Sequence, residues 1–122
     1  MLEVEMEVGA NPNKYWAFVR FWDKNGKVHE RTVEEECKAT IHSNYLRAMI
    51  NGYRILIKPC MVTVYCGSDH ITACFQQGWV NSWESHEWKN SNGKDVRNVE
   101  LWKQLRRFMA PHSTRVIYRK GE

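Results

Sequence analysis

The chain of 122 residues has little of what builds special-purpose scaffolds: four cysteines, three prolines and seven glycines. Cys37, Cys60, Cys66 and Cys74 form no CxxC pair and no dense framework, which excludes a disulfide scaffold and the common structural zinc spacings. Cys66, His70 and Cys74 fall at i, i+4 and i+8, so on a helix they would share a face. Free cysteine is more often a small buried hydrophobe, and no metal site is expected. No apolar run approaches the roughly 20 residues that span a bilayer. The start "MLEVEMEV" is acidic and alternating, unlike a secretory signal, so a cytoplasmic protein without membrane contact is expected. There is no G-x-S-x-G, Gly-rich phosphate loop or HExxH. Ser43 and Ser68, beside His42 and His70, lie at helix starts where capping accounts for them. There is no repeat, low-complexity tract or interdomain linker, so one domain over residues 1–122 is expected.

What is present is enough to fold. Hydrophobic residues make up 43%, which supports a core and argues against disorder. The net charge of +4 is unevenly spread. Residues 1–82 balance nine basic against nine acidic side chains, whereas residues 83–122 hold nine basic and five acidic. The whole excess sits in the last third, which points to a polyanion on one side of the molecule.

"LEVEMEV" alternates, with Leu2, Val4, Met6 and Val8 on one side and Glu3, Glu5 and Glu7 on the other, the pattern of a half-buried strand. Lys14 to Trp22 is aromatic and β-branched, a second strand. Asn25-Gly26 then signals a hairpin in which both residues take positive φ, and Lys27 to Val33 is a third strand. After the acidic Glu34 to Glu36 the period becomes helical: Ile41, Tyr45, Leu46, Met49, Ile50, Tyr53 and Leu56, with Ser43 as a cap and Pro59 as a stop. Met61 to Cys66 reads as a buried strand. A helix capped by Ser68 ends at Gly78, and another runs from Trp79 to Trp88. "KNSNGKDVR" is a polar loop. Asn98 caps a helix with Val99, Leu101, Trp102, Leu105, Phe108 and Met109 inward, and Thr114 to Arg119 is a last strand. Three antiparallel strands followed by two that alternate with helices give an α/β fold with a five-stranded mixed sheet.

This order resembles the ribonuclease H type I family. The specific match is "GWVNSWESHEWKNSNGKDVRNVELWKQL", Gly78 to Leu105. There a short Trp-bearing helix leads into a basic helix-and-loop, the handle, and then an Asn-Val-Asp/Glu-Leu-Trp helix. Trp83, Trp88, Asn98, Val99, Glu100, Leu101, Trp102 and Leu105 fall in register. Elsewhere the likeness is one of element order, and it covers nearly all of the chain. The family's final helix has no counterpart before the sequence stops at Glu122, so a C-terminally truncated member is expected.

The resemblance implies cleavage of the RNA strand of an RNA–DNA hybrid with two Mg²⁺ ions about 4 Å apart. Four carboxylates would hold them: one on the first strand, one on the first helix, one at the end of the fourth strand and one after the fifth. This sequence departs from that set. In place of Thr-Asp-Ser it has Cys66-Gly67-Ser68, with Gly67 at the acid position and Asp69 two residues later. A bulge would be needed to return Asp69 to the site. Tyr45 falls at the helix glutamate, and His42 where an asparagine would contact the hybrid. The first acid maps to Glu7 or to Gly9, and the fourth is absent. The expectation is that no catalytic set survives, with Glu7 and Asp69 as the weak candidates. No cofactor is expected unless a residual nuclease retains Mg²⁺.

Three functions stay open. The first is a catalytically inactive module that binds double-stranded nucleic acid such as RNA–DNA hybrid through Trp88, Lys89, Lys94, Arg97, Lys103, Arg106 and Arg107. The second is a phage or mobile-element protein that binds and inhibits a host nucleic-acid enzyme or defence complex, a host nucleoprotein being its target. The third is a residual ribonuclease H. Trp16, Phe18, Arg20 and Trp22 share one parity and are too apolar for a plain solvent face. Another segment covers them, or they form a surface for a second copy or a different partner. Arg20 and Arg31 are the expected cross-strand partners of the first strand's glutamates.

Overall fold

The structure, a computed structural model, describes residues 1–120. Alternation sets the central strand. β1 (Leu2–Asn11) turns Val4, Met6, Val8 and Ala10 into the core and Glu3, Glu5 and Glu7 to the other face. It outruns the alternating stretch because the Asn11 side chain forms the next turn, accepting from the Asn13 and Lys14 N–H groups at 2.8 and 2.9 Å. β2 (Lys14–Trp22) and β3 (Val28–Glu36) follow antiparallel, and β3 carries on through the acidic run.

The predicted hairpin is present with a different turn. Gly26 has positive φ (78°) and Asn25 does not. The Asp23 carboxylate organises the loop, accepting from the N–H groups of Asn25 and Lys27 at 2.8 and 3.0 Å. This holds the chain in a longer loop than a two-residue turn.

α1 (Ile41–Arg54) packs on β1 and β2. Its cap is Thr40 rather than Ser43, since Thr40 Oγ1 accepts the Ser43 N–H at 3.2 Å. Gly52 is needed for its approach to the sheet, because a Cβ there would lie 2.6 Å from Met6 Sδ. The helix ends at Arg54, ahead of Leu56 and Pro59. Fully buried Asn44 donates to Asn11 O and Cys37 O, both at 2.9 Å, and so ties the helix start to the ends of β1 and β3.

β4 (Cys60–Cys66) runs parallel to β1, and β5 (Ser113–Tyr118) parallel to β4, giving the order β3-β2-β1-β4-β5. Ser68 caps α2 (Asp69–Gln76) as predicted, its hydroxyl accepting the Ile71 N–H at 3.1 Å. α3 (Trp79–Ser85) stops short of Trp88 because Glu87 and Trp88 take left-handed backbone, φ 57° and 62°. α4 (Val99–Met109) packs on α1. Asn98 precedes it in left-handed backbone (φ 62°) and makes no side-chain cap bond, contrary to the predicted role.

The face of the sheet away from α1 carries Glu3, Glu5 and Glu7 together with Trp16, Phe18, Arg20 and Trp22, none of them buried. Trp22 is 40% exposed. Arg20 lies opposite Glu5 in register, but its Nε pairs with Glu30 on β3 at 3.6 Å. Arg31 is not a partner of those glutamates, because it pairs in register with Val19 and has the opposite parity. Among the described residues no helix is long and apolar enough to cross a membrane.

Candidate functional site

Parallel pairing of β1 with β4 brings their C-terminal ends side by side. The ladder closes on Val8 opposite Cys66, and the Gly67 N–H donates to Val8 O at 3.4 Å. Gly9, Gly67 and Tyr45 therefore line one cavity of about 650 Å³, with Trp16, Tyr65, Tyr118, Arg119 and Lys120 around it. Gly67 and Tyr45 are the positions where the resemblance calls for carboxylates on the fourth strand and the first helix, and Gly9 and Glu7, which both line the cavity, are its two candidates on the first strand.

Rings fill the vacated space. A Cβ on Gly9 would lie 2.4 Å from Cε2, Cζ2 and Nε1 of Trp16, so the indole packs its Cε2 edge against the glycine. A Cβ on Gly67 would lie 2.7 Å from the Tyr45 hydroxyl. Burial raises the Tyr45 pKa above the ordinary phenol value, with Cys66 adding to the effect, so the hydroxyl stays neutral.

Glu7 lines the same cavity but is engaged elsewhere. Its carboxylate accepts from Arg119 Nη1 at 2.9 Å, and that guanidinium lies 3.6 Å over the Tyr65 ring. Asp69 is exposed in the first turn of α2 and does not line the cavity, so Glu7 and Asp69 are not brought together there. Mg²⁺ requires several oxygen ligands in near-octahedral array. Among the described residues the cavity is lined by glycines, aromatic rings and one carboxylate already paired with arginine, and these residues do not fit a two-metal centre. Among the described residues no group of three or more His, Cys, Asp and Glu is placed to hold a metal ion.

Among the described residues, the basic third divides into ion-paired and unpaired charges. Lys94, Arg97, Lys103 and Arg107 are exposed, and Lys103 and Arg107 stand one turn apart on α4. Lys89 is ion-paired with Asp95. Arg106 turns away from its neighbours, with Nη2 2.8 Å from Glu84 and 3.1 Å from Asn81 on α3. The expected cluster of Lys103, Arg106 and Arg107 is thus split. Trp88 is half-buried against the core, and Trp83 stands edge-on to Trp102 with ring centres 5.6 Å apart.

The sequence reading missed three features. Tyr65 and Tyr118 have opposite parity in the β4–β5 register, Tyr65 pairing with Ile117 and Tyr118 with Cys66, yet both line the cavity beyond the strand ends. Arg119 was read as a strand residue and is a cavity cation. His42 and His70 stack with ring centres 4.5 Å apart because the starts of α1 and α2 converge. Burial lowers the His42 pKa, and the charges of His70 and Arg97 push in the same direction.

Comparison with solved structures places this architecture among ribonuclease H folds. LC9-RNase H1, a type 1 RNase H with the type 2 active-site motif, superposes with a TM-score of 0.82 at 19% identity, covering 100% of this chain and 64% of that one. The foamy viral protease-reverse transcriptase, solved in complex with RNA/DNA hybrid, gives 0.66 at 11% identity over 98% of this chain and 17% of that one. In sequence, the RNase H family matches residues 9–121. Ribonuclease H of Thermus thermophilus is 34% identical over 112 residues, 90% of this chain and 64% of that protein. Ribonuclease H of Lachnoclostridium phytofermentans is 32% identical over 111 residues, 90% of this chain and 70% of that protein. The chain belongs to the ribonuclease H family, and it spans about 64% of the length of the Thermus relative.

Proposed function

We propose that this chain is a non-cleaving ribonuclease H-family module that holds double-stranded nucleic acid, with RNA–DNA hybrid as the preferred form. The observation that carries the first half is the joint replacement at the strand ends: Gly9 under Trp16, and Gly67 under Tyr45. A pair of Mg²⁺ ions has no ligand set there. The second half is supported by the free cations Lys94, Arg97, Lys103 and Arg107, and by relatives solved with hybrid bound, such as LC11-RNase H1. Such contacts go to phosphates, which position a duplex without reading its bases. No Mg²⁺ is needed for holding.

Affinity for a hybrid duplex at several salt concentrations tests the reading. Each neutralised phosphate contributes a log–log slope of about −0.9 on B-form DNA. Lys103→Ala with Arg107→Ala is expected to flatten the slope by about one to two units. No binding at low salt, or an unchanged slope, rejects it.

The open sheet face favours a second reading, docking of a protein through Trp16, Phe18, Arg20 and Trp22, as an inhibitor of a nucleic-acid enzyme would require. Failure of duplex binding together with retention of such a partner would favour it.

A further inference from the structure

We propose that the cavity left at the β1–β4 ends is a site for one unpaired nucleotide, its base stacked on Trp16 and its phosphate held by Arg119 and Lys120. The inference rests on the reading that the metal site is gone, and is independent of duplex binding.

Three observations carry it. The first is an accessible ring: the Trp16 indole meets Gly9 at its Cε2 edge, carries the exposed Lys14 ammonium 5.5 Å from its ring centre, is only half-buried, and lines the cavity. An indole held at its edge keeps a face for another ring, and base–aromatic stacking accepts any base. The second is placed positive charge. Arg119 and Lys120 both line the cavity and both are exposed. The Arg119 guanidinium is already oriented by the Tyr65 ring at 3.6 Å and by Glu7 at 2.9 Å. One Nη1 donor is used by Glu7, and among the described residues Nη2 and Nε take no other hydrogen-bond partner. The third is size. A cavity of about 650 Å³ falls within the few hundred to a thousand Å³ typical of small-ligand sites. Hydroxyls of Tyr45 and Tyr118 on its wall add polar contacts for a sugar.

Glu7 gives the proposal a sign. Its carboxylate competes with a phosphate for Arg119 and repels it. Removing that charge strengthens nucleotide binding, whereas in a metal centre it would weaken the site.

The test is titration of the full chain, followed by NMR of the Trp16 indole N–H, whose resonance Trp16→Phe identifies by its loss. The probes are adenosine 5′-monophosphate, adenosine, ribose 5-phosphate and a short 5′-phosphorylated single strand. The monophosphate is expected to shift the Trp16 resonance and to bind about tenfold tighter than either adenosine or ribose 5-phosphate. Arg119→Ala is expected to weaken it about tenfold and Glu7→Gln to strengthen it about threefold. Response to the single strand alone assigns the site to a strand end, and response to the monophosphate alone assigns it to a free nucleotide; either supports the proposal. An unmoved Trp16 resonance with both, equal binding of ribose 5-phosphate, or weaker binding in Glu7→Gln overturns it. Loss of duplex affinity with an intact monophosphate response would reject only the duplex reading.

Discussion

The strand-end cavity and the α3–α4 region carry different parts of their family's design. At the strand ends the described cavity positions Gly9, Tyr45 and Gly67 carry no charge and Glu7 is paired with Arg119, while the sheet beneath is intact. In α3–α4 the opposite holds, with the Trp-bearing helix, polar loop and Trp102 helix all in place around free cations. On the proposed reading, the fold stands without the carboxylates that the resemblance places at the strand ends. The Trp83–Trp102 contact, by contrast, is part of the core and is retained for packing.

Ending the chain before Ser113 should have the largest effect. β5 pairs with β4 from Ser113 to Tyr118, buries Val116, and offers Thr114 Oγ1 to the Tyr53 hydroxyl at 2.6 Å. Loss of the cooperative melt is expected, and a melt at the same temperature would show that the shared sheet does not need this edge.

The two glycines come next. Gly9→Ala should destabilise by about 1–3 kcal/mol in urea, because the new methyl meets the Trp16 ring. In a Trp16→Ala background the same change should cost less than about 1 kcal/mol. Equal costs in the two backgrounds would mean that the ring does not fill the vacated acid position.

The handle can be resolved charge by charge. Arg106→Ala should change the salt slope of hybrid binding by less than about half a unit, because Glu84 already engages that guanidinium, while Lys103→Ala changes it by about one. Equal changes would contradict the split between engaged and free cations.

The smallest effect concerns pH. Burial holds His112 below its ordinary value, and its Nδ1 accepts the Cys60 N–H at 3.0 Å, which requires the neutral ring. The unfolded chain therefore takes up the proton first, and stability is lost as pH falls below about 6.5. His112→Asn should flatten that fall in a series of melts between pH 5 and pH 7.5; an unchanged series would separate His112 from it.

Element types and order were legible because alternation and helical spacing are local signals. β1 shows this in Val4, Met6 and Val8, and α4 in Trp102, Leu105 and Met109. Ends were less legible where a single side chain decided them. Thr40 displaced Ser43 as a cap, the Asp23 carboxylate lengthened a turn, and left-handed Glu87 and Trp88 cut a helix short. At the site, Tyr45 and Gly67 stood out as departures from a known pattern. The choice between Glu7 and Gly9 did not, because it depends on the β1–β4 register and on a ring arriving from β2. The splitting of Lys103, Arg106 and Arg107 depends on where α3 lies, which no spacing within α4 reveals.

The most direct test of a module that holds but does not cut is to follow one labelled hybrid in Mg²⁺ or Mn²⁺. Gel shift would report binding and strand length would report cleavage, with pure protein in excess. The account predicts a bound duplex with its RNA strand intact. Metal-dependent cleavage that Glu7→Gln or Asp69→Asn abolishes would contradict it.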